Sequence, residues 1–347
     1  MSKAIKIGNV TVGGGNPVVV QSMLNVHSSD VEGNVAQAMQ LEKAGCEIIR
    51  VAVPNTQAAA LIPAIKTAVL MPVVADIHFD HTLALESIAA GADKIRINPG
   101  NIGGAGNVKA VVDACREKSI PIRVGVNSGS VEKDILEKHG GPTSEALVES
   151  AFRHVELIEK LGYGNIVISV KSSDIKTTIN ACRIIRARCD YPLHLGVTET
   201  GTYHMGVIKS AVGIGSLLCD GIGDTIRVSL TADPVHEIKA AWDILKAAGV
   251  RRKGVEIISC PTCGRTEVDI MSIAEAVEQA TAHITKPIKV AVMGCVVNGP
   301  GEAREADVGI AAGRDSAVLF KRGEVVKKLS GDIARELIAE VETLSEE

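Results

Sequence analysis

The sequence predicts an α/β protein: a (β/α)8 TIM barrel followed by a smaller α+β domain. Three observations carry this expectation. Eight short, β-branched runs alternate with helical patterns between residues 18 and 249. Aromatic residues make up only 2% of the chain, so its core must be built from Val, Ile, Leu and Ala, which suits a parallel sheet buried on both faces. After Gly249 the alternation stops and a different order of elements begins. The expected division is 1–249 for the barrel and 250–347 for the second domain.

The runs are "VVVQSM" (18–23), "EIIRVAV" (47–53), "PVVADIH" (72–78), "KIRINP" (94–99), "PIRVGVN" (121–127), "NIVISVKS" (165–172), "PLHLGVTE" (192–199) and "DTIRVSLT" (224–231). Short apolar runs of this kind read as buried strands. Helical patterns lie near 30–44, 57–70, 81–90, 108–118, 144–161, 174–188 and 205–218. The eighth is "DPVHEIKAAWDILKAAG". Asp233 can cap it, Pro234 fits the first turn, and Val235, Ile238, Trp242 and Leu245 share one face. An open doubly wound sheet is the other arrangement this alternation allows. It usually carries a glycine fingerprint after its first strand, and "GNIGGAGN" (100–107) does not fit one. "AIKIGNVTVGGG" reads as a hairpin plugging the barrel bottom. Beyond the linker "GVRRKGVE" come a strand, a helix (272–284), a strand, a hairpin and a closing helix (331–345).

The net charge is −4, without a basic face, which argues against non-specific nucleic-acid binding. The N-terminus has no apolar signal region, and no uncharged apolar run approaches about 18 residues. The expected location is the cytoplasm, without a membrane partner. Cytosolic cysteines at close spacing point to metal or redox chemistry rather than disulfides. Five of the eight, Cys46, Cys115, Cys182, Cys189 and Cys219, sit singly in apolar segments and read as small buried hydrophobes.

Barrel active sites lie at the C-terminal strand ends, and these ends are polar here. Arg50, Asp76, His78, Lys94, Arg96, Asn98, Arg123, Asn127, Ser169, Lys171, His194, Glu199, Arg227 and Ser229 fall there. One arginine in a strand is usually a structural ion pair, and Lys94 and Arg227 are expected to pair with barrel carboxylates. Several strands presenting cations toward one rim call for an anion. A small diphosphate suits them, because arginine grips phosphate oxygens through paired donors. Asp76 and His78 either serve a ligand or hold each other and a loop. Glu199 is a rim acid or a neighbour of a helix cap.

"SCPTCGRTEVD" (259–269) carries Cys260 and Cys263, and "MGCVVNGPGEA" (293–303) carries Cys295. Three thiols suit a [4Fe–4S] cube with one distinct iron. Zinc would want a fourth cysteine or a histidine, and the nearest, His283, falls in a helix. A dithiol redox switch would need only Cys260 and Cys263. From spacing alone, Glu302 is either the fourth ligand or an exposed carboxylate in a turn.

Both motifs closely resemble the cluster motifs of the bacterial 4-hydroxy-3-methylbut-2-enyl diphosphate synthase family, which serves the methylerythritol phosphate route to isoprenoids. The resemblance extends to "QSM", "RVAVPN", "ADIHFD", "KIRINPGN", "RVGVNSGS", "VKSSD", "HLGVTETG" and "DTIRVSLT". It implies reductive ring opening of 2-C-methyl-D-erythritol 2,4-cyclodiphosphate, with two electrons delivered singly by flavodoxin or ferredoxin. It implies a [4Fe–4S] cluster held by Cys260, Cys263, Cys295 and Glu302. Diphosphate binding is implied for Arg50, His78, Arg96, Arg123, Lys171 and Ser229, with Asn127 close by. Glu199 matches the family's rim carboxylate, and is a proton donor if burial raises its pKa. A head-to-tail homodimer is a further implication. A zinc-stabilised module that binds a phosphorylated ligand without redox activity is the competing expectation.

Overall fold

The computed structural model spans residues 1–347 and describes all of them except 99, 267, 296–300, 302, 303 and 315. It divides into two compact units, Met1–Arg251 and Arg252–Glu347. Arg251 belongs to the first because its guanidinium is tied there. It donates to Val18 O at 2.7 Å and to Glu47 at 2.7 and 3.0 Å, and stacks 4.6 Å from the Trp242 ring.

In the first unit, β1 (Ile5–Ile7) and β2 (Val10–Val12) form an antiparallel hairpin. The barrel strands follow: β3 (Val19–Met23), β4 (Ile48–Ala52), β5 (Val73–Asp76), β6 (Lys94–Ile97), β7 (Ile122–Asn127), β8 (Ile166–Lys171), β9 (His194–Leu195) and β10 (Thr225–Ile226). All are parallel. Their order is β8-β7-β6-β5-β4-β3-β10-β9, and a parallel bridge between Ile168 and Leu193 joins the two ends. The hairpin buries Ile5, Ile7 and Val12 against Val19, Ile48, Val74 and Val167, which are inward residues of four strands. The barrel floor is therefore apolar and filled.

Helices run Val31–Ala44, Leu61–Ala68, His81–Ala89, Ala105–Lys118, Ser144–Glu159, Ile175–Arg188, Tyr203–Cys219 and Pro234–Ala247. Their starts are specified locally: Asp174 accepts from the N–H groups of Lys176 and Thr177, and Asp233 from Val235. One apolar face holds each against the sheet. In Ser144–Glu159 that face is Leu147, Val148, Ala151, Val155 and Ile158, all buried. Each fully buried branched side chain contributes about 1.5–3 kcal/mol, so Ile158→Asp would unseat the helix.

Three expectations need correction. The pattern at 57–70 is split into Thr56–Ala59 and Leu61–Ala68, because Pro63 has no N–H to donate to Ala59. A short helix, Lys133–His139, was not foreseen. β9 and β10 pair over only two residues each, less than the runs at 192–199 and 224–231 suggested.

The second unit has one sheet, ordered β11 (Val255–Ser259), β12 (Ile288–Met293), β13 (Val308–Gly313), β14 (Ser316–Lys321) and β15 (Glu324–Leu329). The first three are parallel and the last two antiparallel additions. Helices Ile270–Thr281 and Ile333–Glu346 supply Val277, Leu337 and Val341 to a core with Val290, Ile310 and Leu319. The expected single second strand of the hairpin is two strands. Arg322 and Gly323 turn the chain at φ 49° and 82°, the left-handed pair of a tight two-residue hairpin.

Candidate active site

Alternate residues of a strand share a face, and the inward face of this barrel is loaded with charge. Lys94 and Arg96 project from β6, Arg123 from β7, Lys171 from β8, Arg50 from β4, and Arg227 follows β10. Against these six cations the described interior sets two carboxylates, Asp76 and Glu237. Glu237 comes from the first turn of Pro234–Ala247. It lies 3.5 Å from Arg227 Nε and accepts from Ser22 Oγ and Leu230 N–H. Arg227 thus has the carboxylate partner expected of it. Lys94 does not: it is fully buried and its ammonium lies 3.5 Å from Gln21 Oε1.

Asp76 is the hub. Its carboxylate lies 3.1 Å from Arg96 Nη1, 3.7 Å from Arg50 Nε and 3.5 Å from His78 Nε2. Burial alone would raise its pKa; Arg50, His78, Arg96 and Arg123 outweigh that and hold it well below the usual carboxylate range. Arg50 also turns Nε and Nη2 toward the Met23 sulfur, at 3.0 and 2.8 Å. Burial brings the Arg50 pKa down to about 10 despite Asp76.

Arg123 is the decisive residue. It is 1% exposed, and its Nε and Nη1 have no hydrogen-bond partner. Burial, then Arg50 and Arg96, disfavour its charge, while Asp76 opposes them. A buried, unmatched guanidinium costs several kcal/mol unless an anion completes it. Two glycines make room among the cations. A Cβ on Gly125 would sit 2.5 Å from Arg96 Nε, and one on Gly196 2.6 Å from Lys171 Nζ.

The other expected residues ring this set. His78 is 55% exposed beside Asp76. Asn127 is half-buried, ends β7 and caps the short turn Ser128–Ser130. Ser229 is half-buried, and its carbonyl accepts from the Thr200 hydroxyl. Glu199 stands at φ 55° and is exposed, so the burial its proton-donor reading invoked is not there.

In the second unit, Cys260 follows β11 and Cys295 lies just beyond β12, both at the C-terminal ends of paired parallel strands. Gly294 N–H donates to Cys260 Sγ at 3.2 Å. Hydrogen bonds from the Arg265 backbone and side chain lower the Cys263 thiol from its ordinary value, and the guanidinium charge also reaches Cys295. Gly294 lies against Thr266, where a Cβ would approach Cγ2 to 2.9 Å, so the cysteine loop folds over the strand end. Glu302 lies outside the described residues. Among those described, no group of three or more such ligands closes on one metal-ion position. In an iron–sulfur cube each thiolate takes a separate iron, so its ligands stand apart around the cube. Three thiols, two at paired strand ends and one in the loop that follows β11, with an N–H directed at one sulfur, fit that donor chemistry.

Residues 2–242 match the family model described as the GcpE TIM-barrel domain, and residues 256–343 match the GcpE protein C-terminal domain. The chain belongs to the GcpE family. A relative from Caldanaerobacter subterraneus is 57% identical, covering 100% of this chain and 98% of its own. One from Clostridium perfringens is 55% identical over 99% of both. Both are named 4-hydroxy-3-methylbut-2-en-1-yl diphosphate synthase (flavodoxin). Among solved structures, Yersinia pestis dihydropteroate synthase superposes with a TM-score of 0.53 at 15% identity, covering 72% of this chain and 98% of its own. At that identity the likeness is one of fold.

The sequence missed Met23 and Glu237 as partners of the cations. Met23 could have been found, since it ends an inward-facing strand beside Arg50. Glu237 could not, because it reaches the barrel from a helix. Of the five single cysteines, Cys46, Cys115 and Cys182 are buried as expected, Cys189 is half-buried, and Cys219 is exposed, contrary to expectation. Among the described residues no helix is long and apolar enough to cross a membrane.

Proposed function

We propose that this chain catalyses the reductive ring opening of 2-C-methyl-D-erythritol 2,4-cyclodiphosphate to (E)-4-hydroxy-3-methylbut-2-enyl diphosphate, with flavodoxin as electron donor. The observation that carries this reading is the surplus of buried positive charge around Arg123, which a diphosphate would neutralise. Membership of the GcpE family supports the reaction class.

In this reading Arg123, Arg96 and Arg50 grip the phosphates, and Lys171, His78, Asn127 and Ser229 complete the contacts. Asp76 keeps Arg50 and Arg96 convergent. Glu199, exposed at the rim, relays a proton from solvent to the departing hydroxyl. The Thr200 hydroxyl, bonded to Ser229 O, fixes the left-handed turn that carries it. Cys260, Cys263, Cys295 and Glu302 hold a [4Fe–4S] cluster. When bound, that cluster supplies single electrons and a Lewis-acidic iron. The reading includes a cytoplasmic homodimer, which sedimentation tests.

The experiment is anaerobic iron and sulfide quantification, then turnover with the cyclodiphosphate and a strong reductant. A brown protein that releases the linear diphosphate is expected. A colourless protein with one zinc per chain and no turnover would establish the binding-module alternative instead. Cys295→Ser separates the cluster from a dithiol switch: it should abolish turnover, whereas a Cys260–Cys263 dithiol would survive it.

A further inference from the structure

Lys171, His194 and Thr225 stand on the neighbouring strands β8, β9 and β10 and face the barrel interior. Thr225 and His194 are direct partners in the strand register. The His194 ring is fully buried. Its Nδ1 lies 2.8 Å from Thr225 Oγ1, and its Nε2 lies 3.5 Å from Lys171 Nζ.

The chemistry of these partners fixes the tautomer. An ammonium has donors and no acceptor. Facing Lys171 in its charged form, the form a bound diphosphate favours, Nε2 must be the bare nitrogen, so Nδ1 carries the proton and donates to Thr225 Oγ1. Burial first, then Arg123, Lys171, Lys94 and Arg50, pushes the imidazole well below its ordinary value, so it stays neutral. The Lys171 ammonium is also confined by Gly196, whose absent Cβ would lie 2.6 Å from Nζ and 2.8 Å from Arg227 O. Burial, then Arg50, Arg123, Arg227 and Arg96, presses Lys171 toward the uncharged amine. Cys182, behind it from the helix Ile175–Arg188, has a buried thiol pushed up to about 12 and supplies no counter-charge.

We propose that His194 is a positioning residue for Lys171. Its bare Nε2 accepts from the ammonium and holds Nζ where it meets a diphosphate oxygen, while Thr225 fixes the ring. This rests on the diphosphate reading of the barrel given above.

The test is binding of inorganic pyrophosphate to the full-length protein, by calorimetry across pH, beside steady-state turnover. Glutamine places a carbonyl oxygen near the position of Nε2, and asparagine does not reach it. His194→Gln should stay within about threefold of wild type, and His194→Asn should weaken binding about tenfold, as loss of a charge-assisted bond requires. KM should rise by the same factor while kcat holds. Binding is lost as pH rises through the Lys171 pKa. That loss should move to lower pH in His194→Asn, because the ammonium has lost its acceptor.

Equal behaviour of the two variants, or an unmoved pH midpoint, would overturn the proposal. If His194→Asn does not fold, Thr225→Val carries the test: it frees the ring at nearly constant size and should weaken binding about threefold. Wild-type affinity there would equally overturn it. Lys171→Met, beside the wild type, separates the two readings. Absence of pyrophosphate binding by the wild type would refute the diphosphate reading itself, and undiminished binding by Lys171→Met would refute the contact of Lys171 with the diphosphate and with it the role of His194. Loss of binding there, with His194→Asn still binding normally, would refute only the role of His194.

Discussion

Replacing a buried arginine by a hydrophobic residue normally damages a protein, and Arg123 should behave in the opposite way. Its guanidinium is 1% exposed, two of its nitrogens are unpartnered, and its nearest charged neighbours include Arg50 and Arg96. In ligand-free protein this charge is a burden. Arg123→Met keeps the length of the side chain and removes the charge. Exchanging buried ions for packed apolar groups is commonly neutral or stabilising by about 1–4 kcal/mol. At about 2–4 °C per kcal/mol for a unit this large, the barrel transition should rise by several degrees. Binding should respond inversely. Two lost charge-assisted bonds, at about 1.5–3 kcal/mol each, correspond to roughly 10²–10⁴-fold in Kd. Scanning calorimetry of the ligand-free protein and titration with pyrophosphate read the two effects. A variant that melts lower than wild type, or that binds pyrophosphate undiminished, refutes the reasoning.

Asp76→Asn should have the reverse signature, destabilising the ligand-free barrel by about 3–5 kcal/mol, because it strands Arg50 and Arg96 without their carboxylate. The folded pKa of Asp76 is depressed. Its contribution is therefore present above the unfolded value, about 3.9, and lost as pH falls toward the folded value. Acid-unfolding curves of the variant should lack that limb. The thiols of Cys46, Cys115 and Cys182, pushed up to about 12 by burial, should resist alkylation at neutral pH. Exposed Cys219 should be labelled early, and mass spectrometry of timed digests checks the order.

The barrel was legible because each strand is a short β-branched run and several helix starts carry their own caps, at Asp30, Asp80, Thr143, Asp174 and Asp233. Where the reading slipped, tertiary context or a single residue decided. Pro63 divides a pattern that hydrophobic spacing alone would continue. β9 and β10 stop after two residues, and the chain turns outward into the segments bearing Glu199 and Ser229. The cations were legible from alternation along β6, β7 and β8. Their balance was not, since Asp76 gathers partners from separate strands and Glu237 arrives from a helix. The exposure of Glu199 depends on a left-handed backbone turn that no spacing announces.

The apolar plug under the barrel, formed by Ile5, Ile7 and Val12, has a consequence for traffic. A chamber sealed at its base has a single doorway, so whatever enters by the rim must depart by it. Spent cargo and fresh cargo cannot pass one another, and a tightly held product would slow the whole cycle by blocking its successor.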